Sequence, residues 1–289
     1  MTHATPASGA RPPLDYTVEE VHSGPVVDTA YAALAAWFGV RGELERREVI
    51  DSWLERPEGQ RVGNVQMRYH LLVARGPDGA LAAVRDCHTT VDRVSGICVM
   101  YLAHVFVDPT HRRTGLAQRL RDVPLELARR DLADWGISCR ELLLAVEQEP
   151  VVPEKEDTVV RLVAYGRAGF KAVDPAVMPY FQPDFSALAA AGGPASPLPL
   201  LAVVRRVGHE HEAHLPIELA AAFVRHLYAI FSTHCRESDL APLLAHTLNR
   251  LEASGLTAAP LLALPHTLDD TPAMEPLLEA NVLEHYEGV

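Results

Sequence analysis

The stretch from Ile97 to Val107, ICVMYLAHVFV, is almost wholly apolar and then stops at Asp108-Pro109. A run of that length and character belongs in the middle of a sheet, covered on both faces. It hands over through His111, Arg112 and Arg113 to Gly115, and GLAQRLRDVPLELARRDL then resumes with helical spacing of Leu116, Leu120, Val123, Leu127 and Leu132. A strand that passes into a helix through cationic residues and a glycine presents the helix's first free amides to the turn. Those amides and the positive end of the helix dipole attract an anion. Gly115 lets a ligand approach the backbone and Ala117 keeps the next turn small, so a diphosphate fits the turn.

The elements around this turn alternate in period. VVDTAYAALAAWFG and ELERREVIDSWLERPEG carry apolar residues at amphipathic-helix spacing, after a short candidate strand at YTVEEV. MRYHLLVAR and ALAAVRDCHTTV, joined by GPDG, predict an antiparallel hairpin. After the long helix, which contains Pro124, ELLLAV predicts a buried strand parallel to its predecessor through a right-handed crossover. A helix over TVVRLVAYGRAG, stopped at Gly169, is followed by closing strands at FKAV, AVMPYF and, beyond the loop AAAGGPASP, LPLLAVVRRV. From about Leu215 the pattern predicts helices alone, over IELAAAFVRHLYAIFSTHC and DLAPLLAHTLNRLEAS, and the last thirty or so residues show no assignable pattern.

With 26 Lys and Arg against 38 Asp and Glu, a net charge of -12 repels polyanions and argues against nucleic acid. The four cysteines, Cys87, Cys98, Cys139 and Cys235, are scattered without a Cys-x-x-Cys pair, which suits a reducing compartment. The first residues have neither a basic nor an apolar signal segment, and no apolar run reaches the ~18 residues of a membrane span. The expectation is a cytoplasmic protein with no membrane partner.

FVDPTHRRTGLAQRL resembles the coenzyme A motif of the GNAT superfamily of N-acetyltransferases, a strand ending in Val-x-Pro that leads into Arg/Gln-x-x-Gly-x-Gly/Ala and a helix. AYGRAGF resembles the second GNAT signature, a helix ending in Tyr-x-x-x-Gly-Phe. The likeness covers roughly residues 16 to 207. It implies an α/β (α+β) GNAT fold, a mixed and mostly antiparallel sheet splayed between its fourth and fifth strands and flanked by helices, with a C-terminal helical extension. The expected organisation is a tail over 1–14, the GNAT domain over 15–208, and 209–289 as a lid or a homodimer contact.

The resemblance implies acetyl-CoA as cosubstrate, a primary amine of a small molecule as acceptor, and no metal. Its pantetheine arm would lie in the splay against Val105, Phe106 and Val107, with the Val105 amide near the thioester carbonyl. Its pyrophosphate would rest on Arg112, Arg113, Thr114, Gly115, Leu116, Ala117 and Gln118. Tyr165 takes the position of the family's general acid, or else packs beneath the Gly-Phe turn. Strand alternation puts Tyr101 on the acceptor face, where it could order a water, and turns His104 to the other face unless a bulge intervenes. Glu147 is a candidate base, or the partner of Arg161 in an ion pair that would lower its pKa. Asp86 and His88 could reach a substrate, and EQEPVVPEKED could attract a cationic amine. The histidines of GHEHEAH lack an element to fix them as a zinc site. Two rival readings stand beside the transferase of small amines: an acyl-CoA-binding module without turnover, and a protein lysine acetyltransferase.

Overall fold

The structure is a computed structural model that describes residues 16–39, 42–186, 191–193 and 195–286. The tail expected over 1–14 and part of AAAGGPASP lie outside the described residues.

The first half folds as β1 (Thr17–Glu20), α1 (Pro25–Trp37), α2 (Arg47–Leu54), β2 (Gln60–Val62), β3 (Val65–Arg75), β4 (Leu81–Asp92), β5 (Ile97–Tyr101) and β6 (Val105–Val107). Next come α3 (Leu116–Asp134), β7 (Glu141–Gln148), α4 (Glu156–Gly166), β8 (Lys171–Val173), β9 (Tyr180–Gln182) and β10 (Leu198–Arg206). The C-terminal part adds β11 (His214–Pro216), α5 (Ile217–Phe231), α6 (Glu237–Ala253), β12 (Ala258–Ala263) and the short helices α7 (Thr271–Met274) and α8 (Glu279–Leu283). One sheet runs β1-β3-β4-β5-β7-β10-β8-β12-β11, with β2 on β3, β6 on β4 and β9 on β10. Only β5 and β7 pair in parallel within this path, across the α3 crossover.

Side-chain alternation sorts the helices onto two faces. His70 of β3 and Thr89 of β4 meet Asp131 of α3, with His70 Nε2 2.7 Å from its carboxylate. Tyr69 and His88, on the opposite face, pack against Trp53 of α2, and Thr90 Oγ1 lies 2.8 Å from His226 of α5. So α3 covers one face, while α1, α2 and α5 cover the other.

Two expectations are corrected here. The C-terminal part is not helical alone: β12 pairs β8 and β11 pairs β12, so residues after 208 extend the main sheet. Two short strands, one of them AAPLLA, give too little periodicity to be read without their partners. The apolar face of α5 is also covered within the chain, because Leu219, Phe223, Leu227 and Phe231 are all 0% exposed under the sheet. Burying each stabilises the fold by roughly 1.5–3 kcal/mol, and α6 closes over α5 through Leu240, Leu243 and Leu251.

The second correction concerns the apolar run. It is not one strand but two, β5 and β6, with an extra residue between them. His88 of β4 stands opposite Tyr101, yet Arg85, three residues back, stands opposite Val105, four residues on. That mismatch is a β-bulge, and it reverses the alternation beyond it.

Candidate active site

The bulge puts His104 on the same face as Tyr101. Its ring lies 3.1 Å from the carboxylate of Asp86 through Nδ1 and donates from Nε2 to the Glu43 carbonyl at 3.0 Å. Both partners are acceptors, so both nitrogens carry protons and the ring is an imidazolium. Burial alone would pull its pKa down, but the Asp86 charge raises it to about 10. Burial pushes Asp86 up, and His104 more than reverses this, leaving it below the usual carboxylate range. An imidazolium has no lone pair with which to act as a base.

Glu147 near the end of β7 is the group with that capacity. Its two oxygens accept from the hydroxyls of Tyr101 and Tyr180, the latter at 2.5 Å. The surrounding protein raises its pKa, against the hydrogen bonds of the two tyrosines and the charge of His104. The expected alternative, an ion pair with Arg161, is not formed: Arg161 bonds Glu149 instead, two residues further on and so again on the cleft side. Tyr101 and Tyr180 have pKa values well above that of free tyrosine because they are buried and beside Glu147, which keeps them donors. Glu147, Tyr101 and His104 line a cavity of about 620 Å³ with Phe38, Gln182 and Leu200. Glu45, buried behind it with one carboxyl oxygen unpartnered, is pushed up to about 7 by burial. Asp86 and His88 do not reach this cavity; Asp86 serves His104, and His88, stacked among Trp53, Tyr69 and Tyr101, is pulled down to about 3 by burial.

A second cleft opens between α3 and α4. β5 and β7 pair as far as Tyr101 and Ala145, with one more bond from the Leu102 amide to the Ala145 carbonyl. Beyond that point the strands part: β6 pairs with β4, and Val146 to Gln148 pair with β10. The bonds Asp86 N to His104 O and Asp108 N to Ala82 O turn the even-numbered residues of β6 toward β4. The backbone groups of Val105 and Val107 therefore face the gap. At its head, the amides of Arg113, Thr114, Gly115, Leu116 and Ala117 make no hydrogen bond to the described residues. Gly115 sits at φ 86°, and a Cβ there would meet nothing within 4 Å. Five free amides under open space at a helix N-terminus fit a diphosphate.

The elements from β1 to β10 follow the order that the resemblance to the GNAT acetyltransferases implies, with β2 and the break between β5 and β6 added, and the seam between the motif strand and its parallel neighbour is open. No family model matches the sequence, and no curated protein matches it. Among solved structures, the chain is similar to the GCN5-related glucosamine N-acetyltransferase region of a fungal multi-domain β-N-acetylglucosaminidase (18% identity, TM-score 0.39, 56% of this chain and 18% of that one). It is also similar to Arabidopsis thaliana Naa50 bound to a bisubstrate analogue (10% identity, TM-score 0.40, 66% of this chain and 99% of that one). A third is a GNAT-family acetyltransferase of Staphylococcus aureus (10% identity, TM-score 0.38, 66% and 99%).

The cleft between α3 and α4 measures about 1460 Å³ and is lined by Val107, Arg112, Arg113, Gly115, Ala117 and Gln118 of the motif. The Leu116 side chain is 1% exposed, so it can offer only its amide, and Thr114 donates its hydroxyl to the His111 carbonyl at 2.7 Å. Phe106 turns its ring toward Trp37 of α1 rather than into the cleft. Arg121, Arg167 and Arg205 add positive charge that the motif did not point to. Lys155 and Asp157 line both cavities, which places them where the two clefts adjoin. Tyr165 packs its ring edge-on to Phe170 at 5.0 Å, behind the lining of both clefts. Among the described residues no helix is long and apolar enough to cross a membrane.

The Gly115 geometry gives a direct expectation. Gly115→Val forces a β-branched residue into the left-handed region and fills the space over the amides. Acetyl-CoA affinity should fall at least tenfold by calorimetry while the wild-type far-UV spectrum is kept. An unchanged affinity would put the anion elsewhere.

Proposed function

We propose that the chain is an N-acetyltransferase that passes an acetyl group from acetyl-CoA to a primary amine of a small molecule by direct attack. The observation that carries this reading is the open seam, with unpartnered amides at one end and Glu147 in a separate cavity beside it. In the reaction Glu147 takes the proton of the amine, directly or through a water ordered by Tyr101. The Val105 amide, freed by the parting of the strands, donates to the thioester oxygen as charge builds on it. The leaving thiolate takes its proton from solvent, because Tyr165, which holds the position of the family's acid, packs against Phe170 outside the lining of both clefts. Supporting a small acceptor, the acceptor cavity is partly walled by Glu279 near the C-terminus, which leaves less room for a protein chain.

Acetyl-CoA at 100 times its Kd should stabilise the fold by ~2.7 kcal/mol, read as a rise in melting temperature. No rise with millimolar acetyl-CoA, free CoA or a longer acyl-CoA removes the reading. Thiol release across a panel of primary amines then tests turnover, and labelled acetyl-CoA in a lysate separates small acceptors from lysines of proteins.

A further inference from the structure

The segment after residue 208 lies outside both motifs, yet its polar side chains converge on one strand. Tyr228 of α5 donates to the Phe181 carbonyl at 2.7 Å, and Thr247 of α6 donates to the Pro179 carbonyl at 2.7 Å. Near the C-terminus, the Tyr286 hydroxyl accepts from the Tyr180 amide at 3.2 Å and donates to the Leu200 carbonyl at 2.7 Å. Tyr228 and Tyr286 grip β9 or the strand beside it and Thr247 the residue just before it, and β9 is only three residues long, paired with β10 from Leu198 to Leu200. So short a strand does not hold its own position. What it carries is Tyr180, 0% exposed, with its hydroxyl on Glu147 Oε1.

We propose that Tyr180 is a positioning residue for Glu147, and that the C-terminal part of the chain acts on the reaction by fixing Tyr180 there. This rests on the reading of Glu147 as the base. With Tyr101 on the other oxygen, two phenols fix the carboxylate plane and leave its remaining lone pairs toward the cavity. The other groups that set its charge are His104, which favours the ionised form, and Glu43 and Glu45, which oppose it. Tyr228 faces it from α5. Across the cavity, Arg161 is engaged by Glu149 and Asp157, while Lys155 and Glu279 stand at the rim. Of these, Tyr101 and Tyr180 alone donate hydrogen bonds to the carboxylate.

The test is a carbon-13 titration of the whole chain labelled at glutamate Cδ, with the Glu147 resonance identified by its absence in Glu147→Gln. Tyr180→Phe removes one bond to the charged form and should move the Glu147 midpoint up by about one pH unit. Acetyl-CoA affinity should stay at the wild-type value. Thr247→Val keeps the phenol but loosens its strand, and should move the midpoint in the same direction by a few tenths of a unit. A Tyr180→Phe midpoint equal to wild type overturns the proposal; if that variant does not fold, an unmoved Thr247→Val midpoint does so. Because the titration needs no turnover, the two readings separate. An unmoved midpoint in a chain whose Glu147→Gln variant is inactive sinks only the role of Tyr180. A chain that releases no CoA thiol with any amine sinks both.

Discussion

Glu147→Gln should lower amine-dependent thiol release by a factor of 10² to 10⁴ while leaving acetyl-CoA affinity unchanged. The substitution keeps the shape of the side chain, and Tyr101 can still donate to its amide oxygen, so the fold should survive. Neither His104 nor Tyr101 can take over. Both nitrogens of His104 already donate, and Tyr101 is buried and held well above the ordinary phenol range. Burial raises the Glu147 pKa, so in wild type the acid limb of the rate profile should lie above the range of a free carboxyl. Activity falls as pH drops through it, because the protonated acid cannot accept the amine's proton. Steady-state kinetics and calorimetry on the same preparation check both parts. A loss smaller than threefold, or an acid limb unmoved in the variant, would remove Glu147 from the chemistry.

The turn at Gly115 was legible because it is local: Arg112 to Ala117 specify a turn and a helix start within six residues, and the amides are free for reasons of helix geometry alone. The order of elements through β10 was legible apart from β2 and the break between β5 and β6, since 3.6- and 2-residue periods change at the other boundaries. The face of His104 was not. Strict alternation from Tyr101 turns it away, and the extra residue that turns it back appears only in the register against β4. Tyr180 left no mark at all, because AVMPYF reads as a closing strand whichever way its tyrosine points. β11 and β12 are too short to show a period without β8 beside them. What the chain spells locally could be read; what depends on which strand lies next to which could not.

Asp86→Ala should destabilise the fold by about 3–5 kcal/mol, the cost of leaving one member of a buried ion pair alone. Asp86 is 1% exposed and His104 7%. The carboxylate accepts from the His104 backbone amide at 2.7 Å and from its ring at 3.1 Å, and it also takes a weaker bond from Tyr69 at 3.4 Å. The same contacts close the bulge, so their loss releases the turn that sets the acceptor face. The pH dependence has a definite sign. Asp86, with its pKa lowered in the fold, contributes stability above the unfolded value near ~3.9 and loses it as pH falls. His104, raised to about 10, contributes fully below the unfolded value near ~6.5 and loses its share as pH rises toward 10. The gap between wild type and variant should therefore be widest between about pH 4 and 6.5. Urea denaturation across that range measures it. Asp86→Asn, which keeps an acceptor but no charge, should lose less. A variant within 1 kcal/mol of wild type at pH 6 would mean that the ring is neutral and that its bond to the Glu43 carbonyl, not the ion pair, holds the bulge in place.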